Sequence, residues 1–359
     1  MTVQSIESSR LRAWVDVDLS ALRRNGEMVA RHAGVPLLPM IKADAYGLGA
    51  AHAARALESL DLVGFGVATV REGEELRALG VVRPVLVFSP LTPADLMAAR
   101  AAGLTPTLGS ASAIASWREQ GGGDWHLAID TGMHRAGARW DTVGDLAELL
   151  RAAPPVGAFT HFHSSELDDG SMELQEQRFR DALAALPARP ALVHADNSAA
   201  IVRRSPSAWS FVRPGVFLYG VGSGAALQPE PVAHVRARVV ELRTVRPGES
   251  VSYDATWRAT RESTVATIPL GYADGYRRSL SNVGRVLLNG GAVPVAGNVT
   301  MDMTMLDVTD VPCAVGDIVT VMGRAGDHLI TAEQVGAACG LSPYELLTGL
   351  RQRLPRIYG

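Results

Sequence analysis

Short apolar runs alternate with amphipathic stretches over the first two thirds of the chain, and the spacing of apolar positions changes with them. Runs at 35–41, 62–67, 84–88, 104–107, 125–129, 156–162, 191–194 and 210–212 read as eight buried strands, short and rich in Val, Leu, Ile and Phe. Helical patterns separate them at 71–79, 93–102, 111–120, 143–152 and 172–186, the second opened by Thr92 as cap and Pro93 in its first turn. Upstream, 14–17 alternates as a short strand, and a helix capped by Asp18 or Ser20 runs to about residue 32. Eight strands alternating with helices over about 200 residues predict a TIM barrel. A doubly wound open sheet competes, but no Gly-x-Gly-x-x-Gly follows the first strand.

Beyond about residue 224 the helical patterns give way to Val/Thr-rich strands at 232–240, 264–269, 284–288, 292–296, 303–308 and 317–321. Two short helical pieces, 331–339 and 343–351, close the chain. The Pro-, Gln- and Ala-bearing stretch 225–231 marks the boundary. Two domains are therefore expected, a barrel over 18–228 and a mostly β domain over 229–359.

Composition narrows the partners. The net charge of −3, with no basic run interleaved with aromatics, argues against nucleic acid and leaves small acidic or zwitterionic ligands open. Cys313 and Cys339 are the only cysteines and neither has ligand spacing, so no disulfide framework or metal site is expected. The N-terminus has no basic flank followed by an apolar stretch, and no apolar run reaches membrane-spanning length. A soluble cytoplasmic protein is the expectation.

The candidate chemistry lies at the C-terminal ends of the barrel strands, where barrel enzymes place their sites. The first apolar run delivers Lys42 to a small-residue turn before an Ala-rich helix. Partial desolvation there lowers an amine's pKa and favours the neutral form that attacks an aldehyde. Tyr46 offers a hydroxyl to an anion. The fifth strand ends in Asp130 to Arg135, the sixth in His161 to His163, the seventh in His194 to Ser198, and the eighth in Arg213, Pro214 and Gly215. Ser198 opens a helical run, and Gly215-Val216 permits close backbone approach, after the two strands whose loops usually hold phosphate. Ser198 alone would equally be a helix cap. A reactive lysine and a phosphate site at one mouth point to pyridoxal phosphate.

Read together, Lys42-Ala43-Asp44-Ala45-Tyr46-Gly47, Asp130 to Arg135, Thr160-His161-Phe162, Asn197 to Ala200, Arg213-Pro214-Gly215, Val251-Ser252-Tyr253, Gly271 to Gly275 and Met301-Asp302 resemble the ordered motifs of alanine racemases. The resemblance implies a fold-type III pyridoxal-phosphate enzyme whose 12–17 strand packs on the β domain. It also implies a homodimer in which each β domain completes the partner's site. It makes Lys42 the cofactor lysine and one catalytic base, and Tyr253 of the partner subunit the second. Racemisation takes a proton from one face of a carbon and returns one to the other, which gives two bases on opposite sides a physical rationale. A phenol's ordinary pKa is about 10, and ionising one at pH 7 costs about 4 kcal/mol unless a cationic chain assists. The implied chain is His161 and then Arg213 on the pyridine nitrogen, an arginine that keeps its proton and weakens the ring as an electron sink. Arg135 and the backbone of Met301 would hold the substrate carboxylate. Tyr272 would narrow the mouth, and Tyr46, Ser198, Gly215, Val216 and Tyr344 would hold the phosphate. His163 and His194 are assigned no role.

The chain departs from the family pattern at Ala128, where many relatives carry a carbamylated lysine that orients the arginine; a bound anion is expected in its place. His134, Asn298 and Met303 replace a usual glycine, arginine and glutamine, on the carboxylate side. Alanine is the expected substrate, with D-alanine destined for peptidoglycan; a racemase of larger or more varied amino acids is the alternative. A fold-type III decarboxylase is disfavoured by Arg213, since such enzymes usually set an acidic residue on the pyridine nitrogen. A non-catalytic cofactor carrier is disfavoured by the β domain.

Overall fold

The computed structural model describes residues 10–359. Its barrel closes. Strands Phe65–Val67, Val85–Val87, Thr105–Leu108, His126–Asp130, Gly157–Phe159 and Leu192–His194 pair in parallel in that order. The ring is completed by two extended segments. Leu37 bridges both Leu62 and Val212, and Met40 bridges Gly66. Ser210 N donates to Val193 O at 2.8 Å and Arg213 N to Asp196 O at 2.9 Å, joining the eighth segment to the seventh.

The predicted strands at 35–41 and 210–212 are thus single bridges rather than ladders. Pro36, Pro39 and Pro214 lack the N–H a ladder needs. A short strand the pattern does not signal, Ala138–Arg139, runs parallel to the end of the fifth. The expected helix over 143–152 divides into a 3-10 turn, Val143–Leu146, and a helix, Ala147–Ala152. Asp18, not Ser20, caps Leu19–Ala33, accepting from Ala21 N at 2.7 Å.

Strand alternation fills the barrel. Leu127, Ile129 and Val193 face outward onto Ile114, Trp117 and Phe179, so His126, Ala128 and His194 turn inward. The interior is a mixture of Leu38, Leu86 and Phe211 with the buried polar groups His126, His194 and Arg213.

The β domain is built on a sheet ordered Gly291–Pro294, Arg285–Leu288, Ile318–Ala325, Ala233–Arg238, Ala13–Val17 and Arg356–Tyr358. The first strand of the chain lies antiparallel to Ala233–Arg238 and parallel to the last strand. Glu241–Val245, Ser263–Ile268 and Thr304–Asp307 form a second sheet. Neither Glu241–Val245 nor Arg356–Tyr358 is predicted, being charged and short. One apolar core runs from the barrel helices into the large sheet, from Leu22 and Leu57 through Val15 to Val286 and Val319. No helix among the described residues is long and apolar enough to cross a membrane.

Candidate active site

Lys42 stands at the first barrel segment's C-terminal end, on a turn of unusual hand. Ala43, Asp44, Ala45 and Tyr46 have φ of 52°, 53°, 53° and 57°, the left-handed region. Each such residue with a Cβ costs about 1–2 kcal/mol. The turn persists because its polar groups are answered. Glu72 accepts from Ala43 N at 2.8 Å, and the Asp44 carboxylate accepts from Ala50 N at 2.7 Å, opening helix Ala50–Leu57. Burial lowers the Lys42 amine from its ordinary range, as do the Arg135 and Arg213 cations, while Glu72 opposes them.

Arg213 is 3% exposed and bound on several sides. It donates to His194 Nδ1 at 2.8 Å, to the carbonyls of Thr160 and Ala195 at 2.9 Å each, and to His161 Nδ1 at 3.4 Å. Its carbon lies 5.4 Å from the Phe159 ring centre and 5.8 Å from that of Phe88. Nε–H has no partner among the described residues. Burial pushes the guanidinium down to about 10, so it stays cationic at neutral pH. Burial and this cation push His161 down to about 3 and His126 to about 4.

A guanidinium cannot accept, so proton positions follow. His194 Nδ1 must accept, and its Nε2 carries the proton to His126 Nδ1 at 2.9 Å. His161 Nδ1 likewise accepts, which leaves its Nε2–H free to donate. A neutral imidazole column therefore descends from the mouth into the barrel. His194 receives no role from the sequence, and His126 no mention; the signal that could have found them is their inward register beneath Arg213.

Across the mouth, Ser198 Oγ accepts from Gly215 N at 2.9 Å, so the serine proton points elsewhere. A Cβ on Gly215 would stand 2.6 Å from the Tyr46 hydroxyl, which makes no hydrogen bond among the described residues. The Tyr46 ring meets that of Tyr219 at a tilt of 33°, centroids 4.7 Å apart, and lies 6.3 Å from that of Tyr344. Tyr46, Ser198, Gly215 and Val216 thus converge on one cradle, with Tyr344 at its edge.

Arg135 is exposed and has no ion pair among the described residues. Behind it Asp130 accepts from Gly132 N and His134 N at 3.0 Å each and pairs with His134 Nδ1 at 3.1 Å. His134 takes φ 54° at the cost of the same left-handed strain. Ala128 lies in register with Phe159, whose ring meets Phe88 edge-on at 5.2 Å.

Tyr253, Tyr272 and Met301 lie on the β domain. Tyr253 is 66% exposed and Met301 53%. Asn298 donates to Tyr253 O at 3.0 Å and to Asp254 at 3.0 Å, so it holds the Tyr253 turn. Within one chain no hydrogen bond, ring contact or ion pair among the described residues brings Tyr253 or Met301 to Lys42. Lys42 is also the only lysine in the 359 residues, a sequence signal that singles out one side-chain amine.

Comparison with known proteins points to one family. The profile of the alanine racemase N-terminal domain matches residues 17–223 and that of the alanine racemase C-terminal domain residues 232–358. The chain is 37% identical to an alanine racemase of Sorangium cellulosum, with 96% of this chain and 98% of the relative covered. One from Geobacter sp. gives the same identity and the same coverage. Among solved structures, alanine racemase of Streptomyces coelicolor superposes with a TM-score of 0.91 at 29% identity, covering 98% of this chain and 99% of that one. An alanine racemase from Bartonella henselae, described with covalently bound pyridoxal phosphate, gives 0.89 at 30% identity, with 97% and 100% covered.

Proposed function

The chain belongs to the alanine racemase family, and from that premise we propose that it interconverts L- and D-alanine with pyridoxal 5'-phosphate held by Lys42. The supporting observation is the convergence at one mouth of a sole lysine of lowered pKa, a buried arginine and a cradle with unused donors. The residues fit the cofactor. Tyr46, Ser198, Gly215, Val216 and Tyr344 would hold its phosphate, and the Arg213 Nε–H, without a partner among the described residues, suits an accepting ring nitrogen. When bound, the cofactor withdraws electrons from the substrate's α-carbon and acidifies its proton.

The side chains do the rest. Burial and two arginines keep Lys42 available as a neutral base on one face. Tyr253 of the partner subunit would serve the other face, its phenolate met by the outward Nε2–H of His161, which Arg213 holds by its Nδ1. Arg213 retains its own proton at neutral pH. Arg135, exposed and without an ion pair among the described residues, would take the substrate carboxylate together with the N–H of the partner's Met301, and Tyr272 would narrow the opening. The D-alanine formed would serve wall peptidoglycan, the role the family resemblance implies. The account needs a homodimer, since one chain leaves Tyr253 and Lys42 apart.

The test uses the purified, cofactor-loaded protein in deuterated water with a panel of L-amino acids, following α-proton exchange and loss of optical rotation together. L-alanine is expected to exchange and racemise fastest. A larger amino acid reacting faster would overturn the substrate assignment, and absence of exchange with any would overturn the reaction.

A further inference from the structure

The left-handed turn that carries Lys42 has no glycine or asparagine at the four residues that bend it, so its shape must be imposed from outside. Much of that outside is the far end of the chain. Arg356 Nε donates to Gly47 O at 3.0 Å, and its other nitrogens bind the carbonyls of Leu350, Arg351 and Leu354 at 3.0, 2.7 and 2.6 Å. One planar fork therefore ties the turn to the segment after helix Pro343–Thr348. Leu347 O lies 2.8 Å from where a Gly47 Cβ would stand. Tyr358 stacks flat on His52, centroids 3.6 Å apart, and its hydroxyl fills the place a Gly49 Cβ would take. The turn is thus clamped at Gly47, Gly49 and His52 by residues 300 or more positions downstream.

We propose that Arg356 and Tyr358 are positioning residues for Lys42, holding its turn left-handed so that the C-terminal strand sets the reactivity of the chain's single lysine. The proposal takes Lys42 as the reactive amine of the function above, but concerns only that amine's surroundings. Without the clamp the turn relaxes toward the right-handed region, and the amine moves out to water and regains basicity.

Because Lys42 is the only lysine, acetylation of the cofactor-free protein by acetic anhydride, read by mass spectrometry of its peptide, reports one side-chain amine. The rate against pH gives its midpoint. Arg356→Ala and Tyr358→Ala should each raise that midpoint by about one unit, while Arg356→Lys should fail to restore it, because an ammonium has no fork. The control is Arg77→Ala, whose guanidinium binds the carbonyls of Val81, Arg83, Ala102 and Gly103 elsewhere in the barrel. It should lower the melting temperature and leave the midpoint alone. An unmoved midpoint in folded C-terminal variants, or an equal shift in Arg77→Ala, overturns the proposal. Should Arg356→Ala not fold, Tyr358→Ala decides, since it keeps the backbone pairing with Val17. Labelling needs neither cofactor nor turnover, so it can fail while the racemase reading stands, and the reverse.

Discussion

Arg213, His194 and His126 fix one another's protons, and that makes the polar core of the barrel sensitive to acid. His126 takes up its proton only near pH 4 in the folded state, against an ordinary value of 6.5. Between those values the unfolded chain binds a proton that the native one refuses, so stability falls as pH drops from about 6.5 toward 4 and is unaffected above that window. Acid unfolding followed by circular dichroism should show this slope, and His126→Phe should reduce it while leaving the part that His161 and His194, also pushed down by burial, contribute. His194→Leu removes the acceptor for Arg213 and should lower kcat by about 10- to 100-fold, checked by steady-state kinetics, with Lys42 still able to bind cofactor. Lys42→Ala should abolish the bound-cofactor absorbance. Tyr253→Phe should keep that absorbance and impair exchange from one enantiomer far more than from the other; equal loss from both would contradict two bases. Lys42, Arg135 and Arg213 were legible in the sequence as residue types at strand ends. The histidine column was not, because His126 and His194 are 68 positions apart and only barrel closure brings their rings together.

At the scale of elements, the alternation of apolar runs and amphipathic stretches carried the barrel, since buried parallel strands and their covering helices leave a strong local imprint. It failed where pairing rather than pattern decides. The prolines near Leu37 and Val212 reduce two strands to bridges, and the strand Arg356–Tyr358 is recognisable only by its neighbour Ala13–Val17. The cradle after the seventh and eighth strands has a sharper requirement than its sequence suggests. Gly215→Ala would drive a methyl to 2.6 Å from the Tyr46 hydroxyl. Overpacking of that kind costs about 1–3 kcal/mol, so pyridoxal phosphate affinity, measured by equilibrium titration of the absorbance, should weaken about 10- to 100-fold. Unchanged affinity would remove Gly215 from the phosphate site.

At the scale of the molecule, the barrel supplies Lys42, Arg213 and Arg135, and the β domain presents Tyr253, Tyr272, Met301 and Met303 to solvent. Large exposed apolar and aromatic side chains call for a covering surface, and in the proposed homodimer a second copy placed by two-fold symmetry would supply the barrel mouth they lack. The most direct measurement mixes two variants, Lys42→Ala and Tyr253→Phe, under conditions that exchange subunits, and follows racemisation of the enantiomer that Tyr253→Phe handles worst. A shared site predicts recovery to about a quarter of wild-type activity, because half the dimers are mixed and each holds one intact pair. No recovery, with subunit exchange verified, would contradict the partner-subunit tyrosine and with it the two-base account.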